Sequence, residues 1–550
     1  MAQIELNNIT FTYPETETPA LKNLSLQIEK GQFVVLFGAS GSGKSTLLRL
    51  LKKEIRPHGE LKGDIIINGR SRQESDAGAN EIGFVFQDPE NQVVAENVLQ
   101  EIVFGLENMG LSTTEMRSRV AEMVHFFGAE SLLDRKTHEL SGGKKQQINL
   151  ASVLLMQPNI LLLDEPTAQL DPVSARELLD MLVRLNDEFG MTIVVAEHRL
   201  EELFTVSDKI VMMEQGKITH EGAPKQMMEM LWNSSNRVYV PSIPSLYLSI
   251  EKNENRKNPP LTVKEGKRWF QQNALIDLST SDSSVVADAK EELIRAKNLA
   301  FLYSKDDEMV LKELDFSIQK GETYALLGGN GSGKSTLLKL IGGILKPSQG
   351  KVFFHEKPLK TWSKNDLIKK IGYLPQNPKI FFIQDTVEKE INETLKQWGI
   401  TDFFEVERLL NLLGIAHLRN QHPYDLSGGE LQKAALACLL IRNPEVLLLD
   451  EPTKGLDPVS KANLAEILKG LQEGGTTILM STHDVEFAAQ HATKCGMMFQ
   501  GKITSEGSPS EFFKGNFFYT TMIQRLFRHI PESQIMTLEE AVSACKTKVH

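Results

Sequence analysis

Apolar residues come in short, dense runs along this chain, and more mixed stretches separate them. FVVLFG at 33–38, NILLLD at 159–164 and TIVVAEH at 192–198 have counterparts in TYALLG at 323–328, EVLLLD at 445–450 and TTILMSTH at 476–483. Runs this short, rich in leucine and β-branched residues and bounded by turn or charged residues, predict strands buried on both faces. Further strand-like stretches, Ile4–Thr12 and Leu293–Tyr303, open the two halves, and STLLRLLKK and STLLKLIGG read as helices. Strands alternating with helices predict an α/β fold with a mainly parallel sheet and flanking helices.

The pattern occurs twice. GASGSGKSTLLRL at 38–50 returns as GGNGSGKSTLLKL at 328–340, LSGG at 140–143 returns at 426–429, and LLLDEPT at 161–167 returns at 447–453. Order and spacing are kept, so the chain is a tandem duplication. The expected division is a first domain over 1–225, an extension plus linker over 226–290, a second domain over 291–515 and a C-terminal extension over 516–550. PPLTVKEGKRWF at 259–270 resembles SQIMTLEEAVSA at 533–544, which predicts a short extension closing each half and a flexible joint near 275–290.

Composition narrows the function. The 550 residues are 41% hydrophobic and 24% charged, ample for sizeable cores. A net charge of −11 argues against nucleic acid as a partner. Three scattered cysteines, Cys438, Cys495 and Cys545, form no CxxC pair, which argues against structural zinc, iron–sulfur clusters and disulfides. The opening MAQIELNNITFTYPETE shows no leader pattern, and no apolar run approaches the roughly 20 residues of a membrane span. Membrane association is expected only through a partner.

The strongest chemical signal is G-x-x-x-x-G-K-S after a buried strand and before a helix, present twice. The candidate phosphate binders are Gly38, Ala39, Ser40, Gly41, Ser42, Gly43, Lys44, Ser45 and Thr46, and again Gly328, Gly329, Asn330, Gly331, Ser332, Gly333, Lys334, Ser335 and Thr336. Glycines let the backbone close on phosphate oxygens, the helix N-terminus adds positive potential, lysine reaches the β/γ-phosphates and serine ligates Mg²⁺. Acid pairs end two other buried strands: Asp164–Glu165 and Asp450–Glu451. The aspartate suits Mg²⁺ and the glutamate suits polarising an attacking water.

LSGGKKQ at 140–146 and LSGGELQ at 426–432 resemble the signature of the ABC ATPases, and the resemblance covers most of the chain. It implies two P-loop NTPase cassettes in tandem, each with a helical signature subdomain, that bind ATP and Mg²⁺ and hydrolyse ATP. It assigns Gln87 and Gln376 to the Mg²⁺-sensing Q-loop, His198 and His483 to the γ-phosphate switch, Asp171 and Asp457 to the D-loop, and Tyr13 and Tyr303 to adenine stacking. Ser141, Gly142 and Gly143 would face the nucleotide held by Lys334, and Ser427, Gly428 and Gly429 the one held by Lys44. Gln169 in TAQLD departs from the small residue usual there, as in TKGLD, so equal turnover at the two sites is not implied.

The segment FQDPENQVVAENVLQEIVFGLENMGL at 86–111 resembles the Q-helix region of energy-coupling-factor importers of vitamins, vitamin precursors and metal ions. It reads as a short helix carrying Glu96 and Glu101, with Glu390 at the place of Glu101 in the second half. That resemblance implies coupling of Glu101 and Glu390 to arginines of a transmembrane subunit, tails that pair to hold the dimer together, and a peripheral position on the cytoplasmic face of the cell membrane. Integral membrane subunits are then the expected partners, a transmembrane coupling subunit and one that binds substrate. The alternative is a soluble twin-cassette ATPase acting on ribosomes. Such proteins usually join their cassettes by a long charged helical arm, whereas the joint here holds prolines and serine runs.

Overall fold

The computed structural model describes residues 2–14, 16–71, 80–251, 258–276, 291–304, 308–399, 404–517, 519–530 and 534–547. The chain forms two compact units: Met1–Pro241 with Arg256–Leu261, and Ser242–Asn255 with Thr262–His550.

Each unit carries the α/β architecture expected of the alternating pattern. In the first, a six-stranded sheet runs in the order Lys217–Gly222, Lys209–Glu214, Phe33–Phe37, Thr192–Ala196, Ile160–Asp164, Ile82–Val85. All its pairings are parallel except that of the Lys217–Gly222 edge strand. A four-stranded antiparallel sheet, Leu21–Glu29, Ala2–Thr12, Glu60–Ile67 and Arg70–Ser71, accompanies it. The second unit repeats both sheets. Its larger one runs Ile371–Leu374, Val446–Asp450, Thr477–Ser481, Thr323–Leu327, Lys494–Phe499, Lys502–Gly507.

The unbroken apolar runs follow from covering the sheet on both faces. Side chains alternate across a strand, so one strand feeds two cores. In the second unit Tyr324, Leu326, Val446 and Leu448 pack with the helix Lys334–Ile341 and the smaller sheet. Their neighbours Ala325, Leu327, Leu447 and Leu449 pack with the helices Val387–Trp398, Gly428–Leu440 and Pro458–Glu473.

The segment between the cassettes divides. The helix Pro224–Trp232 belongs to the first unit, where Met227, Met228 and Leu231 are buried. The helices Ser242–Ile250 and Val263–Asn273 belong to the second unit and pack against Met522–Phe527 and Leu538–Ala544. Ile243, Leu246, Phe270, Ile523, Leu526 and Phe527 share that core, and Phe270 meets Phe527 edge-on at 5.1 Å. A short antiparallel pair, Ala274–Ile276 with Cys545–Thr547, closes the module. The two extensions also start alike: Thr262 Oγ1 accepts from Glu265 N at 3.1 Å, and Thr537 Oγ1 accepts from Glu540 N at 3.2 Å. Most of the joint expected near 275–290 lies outside the described residues. Among the described residues no helix is long and apolar enough to cross a membrane.

Candidate functional site

The strand Phe33–Phe37 runs into Gly38, whose φ is +144° and where a Cβ would lie 2.1 Å from the Met213 carbonyl oxygen. Gly43, at φ +100°, caps the helix Lys44–Leu51. Gly328 and Gly333 repeat both features, with a Cβ on Gly328 only 2.3 Å from the Met498 oxygen. These positions exclude any side chain, which is why the motif needs glycine there. Lys44, buried, donates from Nζ to the oxygens of Gly38 and Ala39, both at 3.0 Å. Lys334 does the same to Gly328 at 2.9 Å and Gly329 at 3.2 Å. Ser45 Oγ donates to Asp164 Oδ1 at 2.8 Å, and Ser335 Oγ to Asp450 Oδ1 at 2.9 Å. Tyr13 and Tyr303 each place their hydroxyl 3.0 Å from the hydroxyl of the loop threonine, Thr46 or Thr336.

The loops fit a polyphosphate with its cation. The hydroxyls of Ser42 and Ser332 are buried without a hydrogen-bond partner, and a buried hydroxyl left unpaired is costly unless a ligand completes it. Nothing stands within 4 Å of where a Cβ on Gly41 or Gly331 would be, so there is room beside the loop. The serine–aspartate pair gathers hard oxygen donors of the kind Mg²⁺ takes.

Glu165 and Glu451 follow the aspartates in left-handed conformation, at φ +44° and +53°. Such backbone strain in a non-glycine residue persists where surrounding bonds fix it. Glu165 N donates to Ala196 O at 2.8 Å; Glu451 N donates to Ser481 O at 3.1 Å and to its hydroxyl at 3.0 Å. The carboxylate of Glu165 accepts from Gln87 Nε2 at 2.7 Å and lies 3.0 Å from His198 Nε2. That of Glu451 lies 3.1 Å from His483 Nε2, accepts from His483 N at 3.2 Å and stands 3.8 Å from Lys334 Nζ. Gln376 makes no corresponding bond to Glu451. Burial pushes the Glu451 carboxyl up to about 7, against the pull of Lys334. Burial likewise raises Asp164 to about 6, with the Ser45 hydroxyl opposing.

Three contributors were not picked out by sequence reasoning. Ser481 Oγ donates to Asp450 Oδ1 at 2.6 Å and Tyr373 Oη to Oδ2 at 3.2 Å, where the first cassette has Ala196 and Phe84. Glu197, buried, accepts from Thr167 N at 3.0 Å, His198 N at 2.7 Å and Arg199 N at 3.2 Å, tying the histidine turn to the turn after Glu165. The available signal was position: each neighbours a motif residue along a strand or across one.

Ser141 caps the helix Gly142–Leu155 and Ser427 caps Gly428–Leu440, each accepting from a first-turn N–H. Neither serine is hydrogen-bonded to the phosphate loop of its own unit. Asp171 and Asp457 cap the helices Pro172–Phe189 and Pro458–Glu473. Glu96 lies before the helix Val98–Asn108, exposed and 2.8 Å from Lys136 Nζ. Glu101 turns inward: its Oε2 accepts from Val94 N at 2.8 Å and Ala95 N at 2.7 Å. Glu390 does the same to Ile383 N at 2.7 Å and Gln384 N at 2.8 Å. The helix expected to carry both Glu96 and Glu101 thus begins after Glu96, and Glu101 holds a loop.

Two such sites, each a glycine loop and lysine beside an Asp–Glu pair and a histidine, define tandem nucleotide-binding cassettes. The ABC transporter family model matches residues 21–168 and 311–454, and the chain belongs to that family as an ATP-binding protein with two cassettes. A Bacillus cereus protein described as an ABC transporter ATP-binding protein is 42% identical over 99% of this chain and 98% of its own. One from Caldanaerobacter subterraneus, described the same way, is 34% identical over 93% of this chain and 92% of its own. A solved structure titled cbiO1 from Clostridium perfringens, part of the ABC transporter complex cbiONQ, is 32% identical. It covers 43% of this chain and 97% of its own at a TM-score of 0.38. The cassettes are ATPase domains, a class that uses ATP with Mg²⁺ and generally serves membrane transporter subunits.

Proposed function

We propose that the chain energises an importer of the energy-coupling-factor type, for a vitamin, a vitamin precursor or a metal ion. The observation that carries this reading is the tail module: the extension after the first cassette packs with the extension after the second in one core. Paired tails are what that importer resemblance implies. The ribosomal alternative calls for a long helical arm, and the described residues between the first cassette and Ile276 hold helices of 9, 9 and 11 residues.

In this reading Lys44 and Lys334 hold the phosphates with the loop N–H groups. Ser45, Asp164 and Gln87, and Ser335, Asp450 and Gln376, serve Mg²⁺, which when bound neutralises phosphate charge. Glu165 and Glu451 take the proton of the attacking water, and His198 and His483 orient that carboxylate and contact the γ-phosphate. Ser141 and Ser427 offer helix N-termini for phosphate, and Tyr13 and Tyr303 offer their rings to adenine.

The test is affinity purification of the full chain from detergent-solubilised membranes. Polytopic membrane subunits should co-purify. Ribosomes in their place would overturn the importer reading and leave the ATPase assignment untouched.

A further inference from the structure

The two cassettes differ at the turn that follows the Q-loop glutamine: side-chain hydrogen bonds and an ion pair that hold it in the first are missing from the second. In the first cassette this turn is tied at three successive residues. Asp88 Oδ1 accepts from Gln169 Nε2 at 3.1 Å. Pro89 O accepts from Asn149 Nδ2 at 3.0 Å. The Glu90 carboxylate pairs with the Lys145 ammonium. Lys145 and Asn149 are buried on the helix that Ser141 opens, and Gln169 precedes Asp171. In the second cassette Leu431, Ala435 and Gly455 stand at the places of Lys145, Asn149 and Gln169. None of these side chains carries a donor, so none of the three ties can form. The residue in place of Glu90 is Lys379, whose ammonium lies 5.7 Å over the Tyr424 ring.

The effect is visible one residue upstream. Gln87, at the root of the tied turn, donates to Glu165 at 2.7 Å, whereas Gln376 makes no such bond to Glu451. With His198 Nε2 at 3.0 Å from the other oxygen, Glu165 is held from the Q-loop and the histidine turn together, whereas the contacts on Glu451 come from His483 and Lys334. In the proposed function Gln87 also serves Mg²⁺, and a Gln87 held on Glu165 by a tied turn must leave it before it can serve the cation.

We propose that Lys145, Asn149 and Gln169 are positioning residues that brace Gln87 against Glu165, so that the first cassette turns over ATP more slowly than the second. The proposal rests on the reading of Glu165 as the group that takes the proton. The competing view is that the three contacts only pack a helix against a turn. Packing alone predicts a loss of stability when they are removed, and no transfer of the behaviour to the other cassette.

Hydrogen exchange of the purified full-length protein tests this, read as protection of residues 86–96 and 375–385. Protection should be at least about threefold higher in the first turn. K145L/N149A/Q169G, which installs the second cassette's residues, should erase that difference. It should also raise kcat about twofold or more, with KM for ATP within about twofold. The reverse transplant N377D/K379E/L431K/A435N/G455Q should protect 375–385 and lower kcat, whether or not the first variant folds. Lys145→Arg keeps the charge and should keep wild-type protection. Equal protection of the two turns in the wild type, or a transplant that folds and protects nothing, overturns the brace. Wild-type turnover in Glu165→Gln would instead overturn the role of Glu165, leaving the exchange result standing.

Discussion

Lys44 and Lys334 each begin a helix and bend back over the loop that precedes it, ammonium on two carbonyl oxygens. A phosphate arriving in front of the loop offers that ammonium a charged acceptor, and charge-assisted bonds are about twice as strong as neutral ones. Lys44→Ala or Lys334→Ala should therefore weaken ATP binding at the altered cassette by at least about tenfold, the scale of one lost charged hydrogen bond, read by fluorescent-nucleotide titration. Glu451→Gln keeps the shape and removes the base. It should leave ATP binding intact and slow hydrolysis at that site by about 10²–10⁴-fold. It should also change the pH dependence of stability. The folded protein holds the Glu451 proton up to about 7 against an ordinary value of 4.5, because burial penalises the charge. Its contribution to stability is thus complete below about pH 4.5 and is lost as pH rises through about 7. Gln does not ionise, so the nucleotide-free variant should melt above the wild type at pH 8 and level with it near pH 4.5. Equal melting at pH 8 would show that the buried charge costs nothing. The residues behind these predictions were legible because each sits in a linear motif. Ser481 and Tyr373 were not, because they reach Asp450 only through the parallel register that sets Asp450 beside Ser481 and Leu374 beside Leu449.

At the scale of elements, the apolar runs announced the central strands because burial on both faces leaves no polar position to confuse the pattern. The segment after the Q-loop was harder to read, since an acid on a short helix looks the same in sequence whether it faces water or the backbone. In both cassettes the glutamate reaches back to the N–H groups seven and six residues earlier, and the loop it holds displays Val94 in one case and Ile383, 86% exposed, in the other. Glu101→Ala with Glu390→Ala removes the acceptor for two N–H groups per loop. Each loop should lose about 1–3 kcal/mol, the range for stranding backbone groups, and the loss should appear as a lower melting temperature. Uptake should fail because the displayed loop no longer holds one shape, while ATP binding persists. Glu101→Gln with Glu390→Gln retains a carbonyl acceptor and should recover most of the stability. Wild-type melting and wild-type uptake in the alanine pair would remove both residues from coupling.

For the whole molecule, the duplication was plain from motif order, whereas the pairing of the two extensions was expected from the importer resemblance alone. A sequence repeat shows that 259–270 and 533–544 are alike; it does not show that they share a core. They do: Phe270 lies on Phe527, and Ala274 pairs with Thr547 across the two-stranded closure. The covalent joint is therefore backed by a packed module of four helices, and this yields a prediction that the linear repeat could not. Cutting the full chain at a protease site inserted after Thr280 should leave two fragments that elute together without nucleotide, because the first fragment's tail remains in the second fragment's core. Burying a large aromatic and an aliphatic side chain stabilises by about 1.5–3 kcal/mol each, and placing a charge at such a position reverses that gain and adds a desolvation cost. Leu246→Asp with Phe270→Asp, both at buried positions of the module, should thus let the cut fragments separate on gel filtration while each cassette still binds ATP. Separation of the cut protein without those substitutions would show that the tails do not hold the halves. Co-elution despite them would place the hold elsewhere in the chain.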